Sequence, residues 1–247
     1  MINRNNGVSI RTTARIAGVL YMVISVAALF GEVFVRGKLL VFSDGRTTVA
    51  NILAHEQLYR AGGAADLVAF ACDAIVAILL YQLLRPVNRS LAILAASLRL
   101  LHAAIASVNT LNYFAPLIVL GTRIYTTAFT SEQIQSFVIW SLRLHGGGYN
   151  IALVFFGLHC VCLGYLIIRS WFLPKALGAA MAVAGACYLI NSFSSFVFPA
   201  LKSQIYPYIL IPGGLAEWAL TLWLVIVGLN TRRWNEQARA SVQLQPD

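Results

Sequence analysis

Six long apolar stretches constrain this chain more than any other feature of its sequence. A helix of about 20 apolar residues crosses a hydrocarbon core of about 30 Å, and each stretch is long enough to do so. The spans are predicted at residues 16–35, 61–84, 91–120, 149–168, 174–198 and 213–229. The alternating pattern of a membrane barrel is missing. The sequence therefore predicts an all-α fold, a polytopic transmembrane helical bundle of about six spans.

Composition supports a single membrane domain. Of the 247 residues, 59% are hydrophobic and 11% are charged. One water-soluble core of this length would not bury so much apolar surface. Six spans use most of the chain, so we predict one transmembrane domain over residues 1–230. Residues 231–247 are predicted to be a polar cytoplasmic tail that forms at most a short surface helix.

Short interfacial helices are predicted in the first and second outer loops. Thr47 or Thr48 would cap the first, and the second would begin at the capping-box spacing of Thr130 and Gln133. The glycines at 146–148 would then interrupt the second helix and form a hinge before span four. Two glycine pairs with a spacing of seven residues predict close helix packing. These pairs are Gly157 with Gly164, and Gly178 with Gly185.

The basic residues predict the orientation and exclude one class of partner. Ten Lys and Arg residues fall on the side of the termini and seven on the other side, where Arg36 and Lys202 are counted as loop residues. This bias predicts an inner-membrane protein with both termini in the cytoplasm. The net charge is +9, but the basic residues stand singly at the ends of apolar runs. We therefore expect the lipid bilayer as a partner and no nucleic acid, and the oligomeric state stays open.

Polar residues inside the spans are the candidate functional residues. Ionisable groups are costly in a membrane, and they mark either structural pairs or functional sites. Asp66 and Asp73 are seven residues apart and so share one face of span two. Turning such faces inward would create a polar cavity that opens to the outside. Its candidate lining is Asp66, Asp73, Arg99, His102, Asn109, Asn112, Asn150, His159, Asn191 and Glu217.

Three functions remain open at this point, and whether the protein is an enzyme is undecided. The first is binding, or transport, of a small polar or amphiphilic ligand, because the buried acids outnumber Arg99. The second is a metal-dependent hydrolase that acts on lipid, with a divalent metal held by Asp73, His102 and His159. We expect no cofactor unless a metal occupies that set. The third is a structural or accessory subunit in which Arg99 pairs with Asp73 or Asp66.

Several motifs carry a resemblance to a known family. They are TARIAGVLY at 13–21, RPVN at 85–88, GYNIALVFFGLH at 148–159, LPK at 173–175 followed by Gly178, and YLINSF at 188–193. Together they resemble the bacterial multi-pass family called domain of unknown function 4386, over roughly residues 11–230. The resemblance implies a polytopic inner-membrane protein without an assigned chemistry. It also implies an aspartate at position 150 in many relatives, where this chain has Asn150.

Overall fold

The computed structural model describes residues 9–243, and in that range the chain consists of helices joined by short loops, with no strand. Six of the helices are long and apolar enough to cross a membrane. They are α1 (Ile10–Leu39), α3 (Glu56–Leu84), α4 (Arg89–Gly121), α6 (Ser131–Arg169), α7 (Lys175–Val197) and α9 (Tyr208–Ile226). The short helices are α2 (Gly45–Ala54), α5 (Arg123–Ala128), α8 (Pro199–Ile205) and α10 (Thr231–Gln243). The predicted all-α polytopic bundle is confirmed.

The six spans form a closed ring. Going around it, α1 packs against α3, α3 against α4, α4 against α6, α6 against α7, α7 against α9, and α9 against α1. The outward faces carry exposed apolar side chains such as Val26, Val108 and Leu215, which suits contact with lipid. Each span therefore also has a face that points into the ring, and the candidate residues lie on those faces.

The two ends of the ring differ in what covers them. At the terminal end, where α1 begins and α10 ends, Trp234 Nε1 donates to the carbonyl of Leu83 at 2.8 Å. Gln237 Oε1 accepts from the backbone of Trp171 at 2.9 Å, so α10 is docked on this end. The opposite, distal end carries α2, α5 and α8. Residues 1–8 and 244–247 of the predicted domain and tail lie outside the described residues.

The helix in the first distal loop begins differently from the prediction. Asp44, and neither Thr47 nor Thr48, is the N-cap of α2, and its carboxylate accepts from the backbone of Thr47 at 3.1 Å. Thr48 instead turns its hydroxyl to the carbonyl of Val41 at 3.0 Å. A carboxylate at the N-cap accepts from the free N–H groups of the first turn, which a threonine one turn later is not placed to do.

The predicted glycine hinge is wrong. α6 begins at the predicted capping box of Thr130 and Gln133 and runs without a break to Arg169. Its 39 residues make it about 58 Å long, so its first half extends past a membrane span at the distal end. Of these glycines, Gly148 has a packing role instead, because a Cβ there would overlap the side chain of Asn109. The predicted second interfacial helix is the first half of α6.

Candidate functional site

Arg99 lies at the centre of the ring and is completely buried. Its Nη2 donates to Asp73 Oδ1 at 2.5 Å, and its Nη1 is 3.2 Å from His159 Nε2. The guanidinium carbon also lies 4.4 Å from the ring centre of Tyr21 and 5.3 Å from that of Phe156. A guanidinium always carries its charge. Asp73 therefore supplies the negative charge that neutralises Arg99 in the buried interior.

The contacts of His159 fix which of its nitrogens carries hydrogen. Arg99 can only donate, so His159 Nε2 must accept. The other nitrogen, Nδ1, lies 2.8 Å from the carbonyl oxygen of Ala95, which only accepts, and so it carries the hydrogen. His159 is consequently a neutral ring with both nitrogens occupied, and it holds α6 against α4.

His102 faces the second oxygen of the same aspartate. Its Nδ1 is 3.2 Å from the carbonyl oxygen of Ala152, and its Nε2 is 3.6 Å from Asp73 Oδ2. Rings of Phe70, Tyr149 and Phe156 surround the imidazole. Within the described residues, the buried atoms Asp73 Oδ2 and Arg99 Nε have no hydrogen-bond partner. Buried polar atoms without a partner are uncommon in folded proteins.

Glu217 joins the cluster from α9 through two tyrosines. Tyr21 donates its hydroxyl to Glu217 Oε2 at 3.1 Å, and Tyr188 donates to Oε1. Because Tyr21 also contacts the guanidinium of Arg99, every span contributes a polar side chain to one connected set. We call it the central cluster and define it as Tyr21, Asp73, Arg99, His102, His159, Tyr188 and Glu217.

Asp66 does not belong to the central cluster. Arg36 donates to both of its oxygens, from Nη1 at 2.6 Å and from Nη2 at 3.3 Å. Arg36 also donates from Nε to Glu32 at 2.7 Å. Of the two predicted partners for Arg99, Asp73 is therefore correct and Asp66 is wrong. The sequence analysis placed Arg36 in a loop and so missed its pairing with Asp66. In the structure α1 continues past Arg36 to Leu39 through a π-helical segment, Phe30–Arg36.

The remaining candidates lie nearer the distal end. Asn109 Nδ2 donates to the carbonyl of His145 at 2.7 Å, and Asn112 Nδ2 donates to Asn109 Oδ1 at 3.0 Å. On the other side of α6, Asn191 Nδ2 donates to Asn150 Oδ1 at 3.0 Å. These hydrogen bonds link α4 and α7 to α6.

Lys202 is a further polar residue at the distal end. It reaches back from α8 and donates from Nζ to Asn191 Oδ1. Its ammonium also lies 4.3 Å from the ring centre of Tyr206. We call Asn109, Asn112, Asn150, Asn191 and Lys202 the distal polar layer. Lys202 could not be chosen from the sequence, because it stands in a predicted loop.

The predicted metal ligands do not form a ready site. Among the described residues no group of three His, Cys, Asp or Glu side chains is placed to hold one ion. His159 would have to leave Arg99 before its Nε2 could bind a metal. The metal at Asp73, His102 and His159 stays a prediction that requires such a rearrangement.

Two voids of the bundle differ from the predicted polar cavity. One is an apolar groove of about 490 Å³ between α4, α5 and α6 at the distal end, with Ile118, Phe129 and Phe137 in its wall. The other, of about 10 Å³, touches His159 on its terminal side and has the size of about one water molecule. The candidate residues instead bond to one another, and the open polar cavity stays a prediction.

A closed ring of six apolar spans around a charged cluster defines a polytopic α-helical membrane protein. The chain belongs to the family described as Domain of unknown function (DUF4386), whose model matches residues 16–228. It is also similar to an uncharacterized protein of Archaeoglobus fulgidus, with 29% identity over 156 residues, which cover 63% of this chain and 76% of that protein. No solved structure matches. The inner-membrane location and the orientation stay predictions.

Proposed function

We propose that this membrane protein binds a small amphiphilic ligand whose polar head is an anion, at the distal polar layer. The observation that carries the proposal is the ammonium of Lys202. Within the described residues it has no carboxylate within salt-bridge distance, and its partner is the side-chain oxygen of Asn191. A carboxylate or phosphate head would supply the missing negative charge.

The surroundings of Lys202 support an anionic head. Partial burial lowers the pKa of Lys202 below its ordinary value, because the loss of hydration disfavours the charged ammonium. An anion bound at Nζ would stabilise the charged form. Asn150 is only partly buried and bonds to the same Asn191 that accepts from Lys202, so its amide lies close to the ammonium. The exposed apolar faces of the spans suit an alkyl tail.

Decanoate will bind the purified protein in nanodiscs, and Lys202→Gln will weaken this binding by about 10-fold to 100-fold. That loss corresponds to removing one hydrogen bond to a charged group. Decanol and decyltrimethylammonium have the same tail without the negative charge, and we expect both to bind more weakly than decanoate. Isothermal titration calorimetry would measure all three. Lys175→Gln, which removes an exposed lysine at the terminal end, is the matched control and should change nothing.

The affinity for decanoate is also expected to depend on pH. Lys202 binds an anion only while it is protonated, so decanoate affinity will fall as the pH rises through the pKa of Lys202. Since that pKa is lowered, the fall will begin at a lower pH than an ordinary lysine would give. Equal binding of decanoate and decanol, or equal losses in Lys202→Gln and Lys175→Gln, would contradict the proposal and favour a structural or accessory role.

A further inference from the structure

We infer that anionic phospholipids bind the terminal end of the bundle, with their phosphate groups on Arg11, Arg89 and Arg169. We call these three arginines the terminal rim. All three are exposed, and within the described residues none of them forms a salt bridge. The inference does not depend on the proposed ligand or on Lys202, which lies at the distal end.

The three arginines lie at one depth, about where the hydrocarbon core of a membrane ends. Each is ten residues along its helix from a member of the central cluster, and these members are Tyr21, Arg99 and His159. Ten residues of α-helix are about 15 Å long. That length is half of a hydrocarbon core of about 30 Å. A central cluster at the middle of the membrane therefore puts the terminal rim at the level of the headgroup phosphates.

Two of the arginines continue the lipid-facing sides of their own helices. Residues four apart lie on the same side of an α-helix. Arg89 comes four residues before Ile93 on α4, and Arg169 comes four residues after Tyr165 on α6. Ile93 and Tyr165 are each about half exposed. A lipid whose tail lies along these side chains would bring its phosphate to the arginine.

The first helix has the same pattern with a second arginine. Arg11, Arg15 and Val19 follow one another at intervals of four residues on α1, and all three are exposed. A guanidinium binds a phosphate through two parallel N–H donors. Arginine at this depth therefore suits a phosphate group better than a single ammonium does.

The balance of charge at the terminal end favours an anionic headgroup over one without net charge. Glu236 is the one acid at this end among the described residues, and it already pairs with Arg232. The basic residues of the same end are Arg11, Arg15, Arg85, Arg89, Arg169, Lys175, Arg232, Arg233 and Arg239. At the distal end seven basic residues are accompanied by five acids, which are Glu32, Asp44, Glu56, Asp66 and Glu132. The terminal end is thus the one that attracts anionic lipid.

Electron spin resonance of spin-labelled lipids, with the protein in phosphatidylcholine vesicles, tests the site. The wild type should prefer phosphatidylglycerol to phosphatidylcholine by about 5-fold at each occupied arginine, the gain expected for one basic residue at a membrane surface. The variant Arg11→Gln/Arg89→Gln/Arg169→Gln should lose most of this preference. These residues are exposed at helix ends, so the substitutions leave the core of the bundle intact.

The variant Arg46→Gln/Arg123→Gln/Arg143→Gln is the matched control. It also removes three exposed arginines, but from the distal end. It should keep the preference for phosphatidylglycerol. Lys202→Gln should keep it too, so a failure of the proposed function and a failure of this inference give different results.

Salt keeps the test valid if a triple variant fails to fold. At about 1 M NaCl the Debye length is about 3 Å, so the preference of the wild type should nearly disappear. A wild type without a preference at low salt, or with a preference that salt leaves unchanged, would overturn the inference. Equal losses in the two triple variants would overturn it as well.

Discussion

Asp73→Leu will lower the free energy of unfolding by about 3–5 kcal/mol, because it leaves a buried positive charge with no carboxylate in direct contact. Arg99 has no exposed surface, and its Nη2 depends on Asp73 Oδ1. The guanidinium cannot escape the cost by losing its proton, as a lysine could. Denaturant unfolding in detergent micelles, followed by tryptophan fluorescence, would measure the loss.

The double variant Asp73→Leu/Arg99→Met will recover most of this loss. Removing both charges removes the cost of burying them, and well-packed apolar side chains often replace a buried ion pair without loss of stability. Glu32→Gln is the control, since that acid binds Arg36 but its side chain is 62% exposed, so its loss should be at most about 1 kcal/mol. A double variant as unstable as Asp73→Leu alone would contradict the pairing.

The central cluster was largely predictable because charge inside a membrane leaves few choices. Asp73, Arg99, His102 and His159 each fall near the middle of a predicted span. A polar group at that depth must face the protein. Helical geometry then brings the inner faces together, and the structure joins these four residues by direct contacts. No detailed packing information was required.

The sequence did not predict the roles of Arg36, Tyr21 and Tyr188. The first depends on where a helix ends, and the other two depend on which helix lies across the ring. Arg36 follows the predicted end of the first span, yet α1 continues to Leu39 and brings it to Asp66. In the sequence, Tyr21 and Tyr188 stand inside apolar runs and look like ordinary span residues. Their role appears only when Glu217, 196 and 29 residues away in sequence, accepts from their hydroxyls. Contacts over such separations are set by helix order around the ring.

The glycines at 146–148 show a tertiary effect that overrides a local preference. Glycine in a helix costs about 0.5–1 kcal/mol relative to alanine, and three in a row favour a break. The helix continues because Asn109 packs directly on Gly148 and bonds to the carbonyl of His145. The paired glycines between α6 and α7 do have the predicted role. Gly164 lies against Gly178, and Gly157 lies against Gly185.

Gly164→Ala will destabilise the protein by about 1–3 kcal/mol, the cost expected for overpacking a tight interface. A Cβ at this position would lie 2.6 Å from the carbonyl oxygen of Gly178 and 2.7 Å from the backbone nitrogen of Ala182. Both atoms belong to the backbone of α7, so no side chain can turn away to make room. α6 and α7 would have to separate, and denaturant unfolding in detergent would register the change.

Gly147→Ala is the matched control on the same helix. A Cβ there would meet no atom within 4 Å, so the substitution should be neutral or should raise stability by about 0.5–1 kcal/mol. Separation of α6 from α7 also has a consequence in the ring. His159 on α6 contacts Arg99, and Tyr188 on α7 binds Glu217, so Gly164→Ala should shift the His159 nitrogen-15 signals while Gly147→Ala leaves them in place. Equal stability of the two variants would show that the glycine contacts do not set the spacing of these helices.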